Sequence, residues 1–426
     1  MIRLLNGISN LIANLGTSKD KSASSTIDYR FIDDRTLDTM YQFDWLSAKV
    51  IDVPVEDMLR EGRKINADGL EPGEIVGFEN FEESLKLDEV LDLALKWSRL
   101  KGTSFIVLGL PGDTEVPIDI DQIKQGDLKF LKVIDRTRVS SININTYDPS
   151  SPDFDEPISY VIGGKTFHKS RLIRIDTAKK PPDSVDPYPM YGIPVLQRVY
   201  DAVIDAQSCN KIINSMLYEA RINVVTVPGF TRLISSPGGE QQISNRFSAA
   251  DKIKSINNML ILDEGETFTP HTTNFSGLSE LMRTNYQIVS GASDIPATRL
   301  LGVSAQGLNA TGDNDTRNYY DMLSSKQNKD LRKIFNQLDF VTTRSHFGFY
   351  PKNWWFEFNP LWQATNREIA DINKIKADTD QIYFGMGVID PSIIITKLHE
   401  SGEYSAIDQE YVDAVSMKLE DQEEKI

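Results

Sequence analysis

The sequence predicts an α+β fold rich in helix, and three observations predict it. Long stretches carry apolar residues at three- and four-residue spacing. A section beginning near Thr103 bunches or alternates β-branched residues between Pro- and Asp-rich connectors. A long polar loop separates two of the clearest helical patterns. With 426 residues, 40% hydrophobic and 25% charged, the chain exceeds one typical domain and can fill a large core.

The elements follow in order. The opening run MIRLLNGISNLIANLG is interrupted by Asn6, Asn10 and Asn14, with no small-residue cleavage pattern after it. It reads as a short amphipathic arm and not as a secretory signal. Residues 17–36 are rich in Ser, Lys and Asp without periodicity, so residues 1–35 are expected to be a flexible lead. From there to about 110 helical patterns dominate. Leu87, Val90, Leu91, Ala94, Leu95 and Trp97 form one apolar face that Gly102 ends. TSFIVLGL reads as a buried strand, and LKFLKVIDRTRVSSININ and ISYVIGGKTFHKSRLIRID as further strands, separated by YDPSSPDFDEP and KKPPDSVDPYP.

Gly192 and Pro194 open a helix to about Glu219. INVVTV follows as a strand, residues 240–253 as a modest helix, and NMLILDEGETFTPHT as a hairpin centred on Asp263 to Gly265. Leu278, Leu281, Met282, Tyr286 and Val289 predict a helix ending near Gly291. Tyr320, Leu323, Leu331, Ile334, Leu338 and Val341 predict a long one capped by Asp313 or Asp315. FYPKNWWFEFNPLW reads as an aromatic strand in the core. Residues 364–400 return to helix, with Asp390 as a cap, and the last 26 residues, with eight acidic and two basic side chains, read as solvated.

The formal net charge of −16 and pI near 4.8 argue against tight wrapping of nucleic acid, which needs cations to displace counterions. Cys209 is the lone cysteine. It cannot close an intrachain disulfide, and reads as a small buried hydrophobe in a chain made in a reducing compartment. No run of 18 apolar residues predicts a membrane-spanning helix.

Catalytic motifs fail on inspection. GGKT at Gly163–Thr166 has Ser159 where a phosphate loop needs glycine, and sits in a strand–hairpin–strand context. GVSAQG is not the GxSxG elbow, so Ser304 lacks the required turn. Asp263, Glu264 and Glu266 with His271 read as a solvated hairpin tip before they read as metal ligands. Arg317 spoils a calcium loop beginning at Asp313 and Asp315. His168, His346 and His399 stand isolated. No catalytic set, metal or cofactor is therefore expected. Between the two helices, Gly302, Gly307 and Gly312 supply backbone freedom, while Ser304, Gln306, Asn309 and Thr311 supply uncharged hydrogen-bonding groups. On physics alone this is either a surface connection or a functional loop.

The segment IPATRLLGVSAQGLNATGDNDTRNYYD resembles the region that opens the kinked helix in portal proteins of tailed bacteriophages. WLSAKVIDVPVEDMLREGRKI, ALKWSRLKGTSFIVLG and YGIPVLQRVYDAVIDAQSCNKIINSMLYEARINVV agree with it in the same order. The resemblance implies a wing over 36–235, a first stem helix at 236–253, a β clip at 254–275 and a second stem helix at 276–293. A tunnel loop at 294–312, a kinked helix with the remaining wing at 313–362, and a helical crown with its acidic tail at 363–426 would follow. It further implies a ring of twelve subunits at one capsid vertex of the virion, assembled in the bacterial cytoplasm. Leu300, Ser304, Gln306, Asn309 and Thr311 would line its DNA channel. Asp263, Glu264 and Glu266 would form the clip surface for the terminase large subunit and the neck adaptor, with capsid and scaffolding proteins as further partners. Two other readings stay open on the residues: a metal-dependent nuclease or phosphodiesterase built from distant carboxylates, and another phage head–tail connector.

Overall fold

The computed structural model describes residues 31–181, 187–219, 223–226, 232, 235–245, 248, 267–270, 277–302, 312–362, 366–401, 411–412 and 414–415. The chain forms two compact units, residues 1–359 and 360–426.

The first unit starts with α1 (Asp34–Phe43) and α2 (Trp45–Leu59). Asp33 caps α1 through the Thr36 N–H at 2.7 Å, so this helix opens a little before Thr36. Asp44 ends α1 and caps α2, accepting from the Leu46 and Ser47 N–H groups, both at 3.1 Å. Pro54 lies inside α2. Having no N–H, it cannot serve the Val50 carbonyl one turn back. Arg99 does so instead, donating from Nη2 to Val50 at 2.7 Å and from Nε to Ile51 at 3.0 Å. Burial without a carboxylate in contact pushes the Arg99 guanidinium down to about 10.

Helix α3 (Pro72–Ser84) opens with a capping box at Glu71 and Glu74, and α4 (Leu87–Lys101) stops at Gly102. Gly102 has φ +89°, and a Cβ there would meet the Gly192 carbonyl oxygen at 2.1 Å. Only glycine fits this approach of two backbones.

Strands β2 (Thr103–Leu108), β3 (Leu131–Asp135) and β7 (Leu172–Asp176) make an antiparallel sheet in the order β3-β2-β7. Strands β4 (Val139–Ile144), β5 (Pro157–Ile162) and β6 (Lys165–His168) make a second in chain order. Gly163 and Gly164, at φ +57° and +80°, form the two-residue hairpin between β5 and β6. GGKT is thus a turn and not a phosphate loop. Strand β1 (Arg63–Asn66) pairs with β10 (Trp355–Phe358) and ties the two ends of this unit together. The main core joins α3, α4 and the first sheet to the later helices through Phe78, Leu91, Ile106, Leu338 and Phe356. Trp355 is 48% exposed because alternate strand residues face opposite ways, so the aromatic segment is only half core.

Helix α5 (Val195–Glu219) packs along α6 (Leu278–Ser293). Cys209 on α5 is half-buried, not fully enclosed. Strand β8 (Asn223–Thr226) pairs antiparallel with β9 (Thr267–Pro270). The later arm of the expected hairpin therefore joins an earlier strand, while the first arm and the tip lie outside the described residues. After α6 comes a short helix, α7 (Ala297–Leu301), where an uninterrupted loop was expected. Pro296, with φ −54°, starts it, and Asp294, with φ +58°, makes the turn that ends α6 just past Gly291.

The long helix runs as α8 (Gly312–Lys326), a π turn (Gln327–Leu331) and α9 (Arg332–Phe347). It begins at Gly312, one residue ahead of the expected Asp313. All six apolar positions named from its periodicity are buried. A π turn is one of the few identifiable causes of a helix kink. Gln327 within it is buried and donates to the Met58 carbonyl at 2.7 Å.

The second unit contains α10 (Asn366–Gly385) and α11 (Pro391–Ser401), joined by Lys397 and Asp380 at 2.9 Å. The Asp390 carbonyl accepts from the Ile393 N–H at 3.1 Å at the start of α11. No helix among the described residues is long and apolar enough to cross a membrane.

Candidate functional site

The expected channel loop follows α7 and precedes α8 in the chain, and groups on α2 and at its C-terminal end contact both of those helices. Lys49, Asp57 and Arg60 lie eight and three residues apart, which places them on one side of a helix. Asp57 is fully buried. Arg299 of α7 grips it with Nη2 at 2.7 Å and Nε at 2.9 Å, and Tyr319 of α8 donates its hydroxyl to the same carboxylate at 3.1 Å. Lys49 Nζ donates to the Leu300 carbonyl at 2.8 Å, where α7 ends, and Arg60 Nη1 donates to the Tyr320 hydroxyl at 3.2 Å. The Arg60 guanidinium also lies over the Tyr320 ring, 5.2 Å from its centroid.

The electrostatics follow from this packing. Burial, and then the Asp57 carboxylate, push the Tyr319 phenol well above its usual range, so it stays a hydrogen-bond donor. Hydrogen bonds from Arg299 to Asp57 raise the guanidinium further. A buried carboxylate held by a two-pronged arginine and a phenol has its lone pairs served, which burial of a charge demands.

The residues expected to line the channel divide. Leu300 is fully buried. Its side chain packs within the fold, where burial contributes about 1.5–3 kcal/mol. Gly302 ends α7 at φ +68° with open space around it, and Gly312 is the first residue of α8. Ser304, Gln306, Gly307, Asn309 and Thr311 lie outside the described residues, as do Asp263, Glu264, Glu266 and His271. Among the described residues no group of three His, Cys, Asp or Glu side chains is placed to hold a metal ion.

The sequence reading passed over Asp57, Arg299 and Tyr319. A partial signal was present: Asp57 stands in VIDVPVEDML between Pro54-Val55 and Met58-Leu59, where a buried unpaired charge would be costly, but Asp52 and Glu56 in the same run hide which acid is buried.

Residues 35–382 match a family model described as phage portal protein. A protein of Caulobacter sp. (strain RHG1) called anti-CBASS protein Acb1 is 36% identical over 395 residues, covering 88% of this chain and 62% of that one. One of the same name from Sphingomonas paeninsulae is 33% identical over 432 residues, covering 96% and 68%. An uncharacterized protein of Haemophilus influenzae is 29% identical over 412 residues, covering 95% and 92%. The chain thus spans about three fifths of the length of the Caulobacter relative. In fold it is similar to a chain from the neck of an empty gene transfer agent particle computed with C6 symmetry, with a TM-score of 0.50, 12% identity, and 88% and 96% of the two chains covered. With the family match running from the start of α1 almost to the end of α10, this chain belongs to the phage portal proteins.

Proposed function

We propose that twelve copies close into a ring at one capsid vertex, and that double-stranded DNA passes through its centre during packaging and ejection. The match to the portal family over residues 35–382 carries this reading. A closed ring needs a head-to-tail interface, so each subunit must present two unlike surfaces. Exposed apolar side chains are available for this, among them Phe43, Trp45 and Ile288 in the first unit and Ile372 and Ile375 in the second.

A net charge of −16 suits a channel that must not adhere to its cargo. Affinity for DNA grows with each phosphate neutralised, and tight contacts would stall a moving duplex. Ser304, Gln306, Asn309 and Thr311 would meet the backbone through exchangeable hydrogen bonds that carry no sequence information. The chain itself performs no catalysis in this reading. The terminase large subunit supplies ATP hydrolysis and docks on the clip around Asp263, Glu264 and Glu266, where the neck adaptor later binds. Capsid and scaffolding proteins surround the ring.

Electron microscopy of the purified protein tests the proposal. Class averages with rotational symmetry and a central channel are expected; a compact monomer overturns it. The names of the Caulobacter and Sphingomonas relatives favour one second reading, an anti-CBASS activity in this chain. Hydrolysis of labelled oligonucleotides, abolished by chelation, would support it in the form of a metal-dependent phosphodiesterase.

A further inference from the structure

We propose that Asp57 is a positioning residue for the channel loop, holding the two sides of the loop to a single buried point. The inference rests on the channel reading for its functional half and on geometry alone for its structural half.

The arrangement is economical in chain but specific in chemistry. Arg299 is two residues before Leu301, the last residue of α7, and Tyr319 lies two turns into α8. The residues between Gly302 and Gly312 leave from the first and return to the second. Both ends reach the same carboxylate, Arg299 through a two-pronged grip and Tyr319 through one hydroxyl. Lys49 adds a third tie at the Leu300 carbonyl. The guanidinium fork fixes orientation as well as distance, which a lone ammonium would not. The ends of the connection are thereby held at a set separation, because Lys49 and Asp57 sit on one helix, α2, and tie α7 and α8 to it.

Three variants test this in the full chain: Tyr319→Phe, which removes one hydrogen bond and no charge; Arg299→Gln, at a side chain that is 41% exposed; and Arg299→Lys, which restores charge without the fork. Hydrogen–deuterium exchange is followed at 297–301 and 312–319, and DNA packaging is measured with rings of each variant. The expected result for the first two is exchange raised about tenfold at both segments and unchanged in β2 and α4. Packaging should slow severalfold while ring assembly is kept. Arg299→Lys should likewise keep ring assembly and leave packaging slowed, because it restores the charge without the fork. Exchange that rises on one side only, or on neither, overturns the shared anchorage. Raised exchange with wild-type packaging, or full rescue by lysine, overturns the positioning role. If wild-type rings pass no DNA, the channel reading falls, and exchange alone then decides whether the anchorage exists.

Discussion

Arg63 is buried with two carboxylates and one of them is surplus. Asp339 takes the guanidinium through two contacts of 2.8 Å and is further held by the Trp354 indole N–H at 2.9 Å, while Glu82 touches Arg63 Nη2 at 2.6 Å. The ring faces of Phe335 and Phe356 enclose the same guanidinium at 4.0 and 4.7 Å. Arg63 on its own would lower the Glu82 pKa. Burial outweighs it and Asp339 has already neutralised the cation, so Glu82 is pushed up to about 7 from 4.5. The folded state therefore holds a proton on Glu82 that the unfolded state releases between those two values. Stability contributed by this group is full below pH 4.5, falls as pH rises to about 7, and is flat beyond. Melting temperatures of the wild type and Glu82→Gln, compared from pH 4.5 to 8, should diverge in that window with the wild type losing ground. Parallel curves would mean that Glu82 is already ionised in the fold.

Helices carry the next level, and α2 shows how an apparent flaw is repaired from outside. Pro54 orphans the Val50 carbonyl and Arg99 satisfies it. Arg99→Met should destabilise the fold by about 1–3 kcal/mol, the range for leaving a buried acceptor unpaired. Adding Pro54→Ala should return part of that by restoring the N–H, which a double-mutant cycle in denaturant melts will show as a coupling; additive losses would refute the link. Gly102→Ala should be worse than either single change, since backbone stands where the methyl would go. Periodicity made much of this level legible. The faces of α4 and of the long helix, and the hairpin at Gly163 and Gly164, follow from local pattern and turn chemistry. Helix α7 did not show, because five residues give too little period and its polar surroundings read as loop. The grip of Arg299 on Asp57, 242 residues apart, is a tertiary fact that no spacing rule reaches. Trp355 was misjudged by composition: an aromatic cluster says core, but a strand must turn half its side chains outward.

At the scale of the whole assembly, the acidic balance and the neutral loop make a joint prediction. Gln306→Lys with Asn309→Lys should slow DNA translocation in a packaging assay while rings form normally, because each new cation adds a phosphate contact to be broken; unchanged rates would remove these residues from the channel wall. Charge reversal by Glu264→Lys and Glu266→Lys should weaken motor or adaptor binding in a pull-down more than it affects ring formation. The π turn reaches this scale too. Apolar positions from Tyr320 to Val341 keep the phase of an ordinary α-helix, yet the extra residue rotates everything after Leu331 by roughly 100°. Helix α8 accordingly buries its stripe against α2 and α7, and α9 against α3 and β7. Deleting the exposed Lys329 should close the π turn into ordinary α-helix and leave Ile334, Leu338 and Val341 on their buried side, whereas deleting the exposed Asn336 inside α9 should swing Leu338 and Val341 by roughly 100° out of the core. The π turn is thus a place where a gene could lose a codon without losing register, which the ordinary helix on either side does not permit.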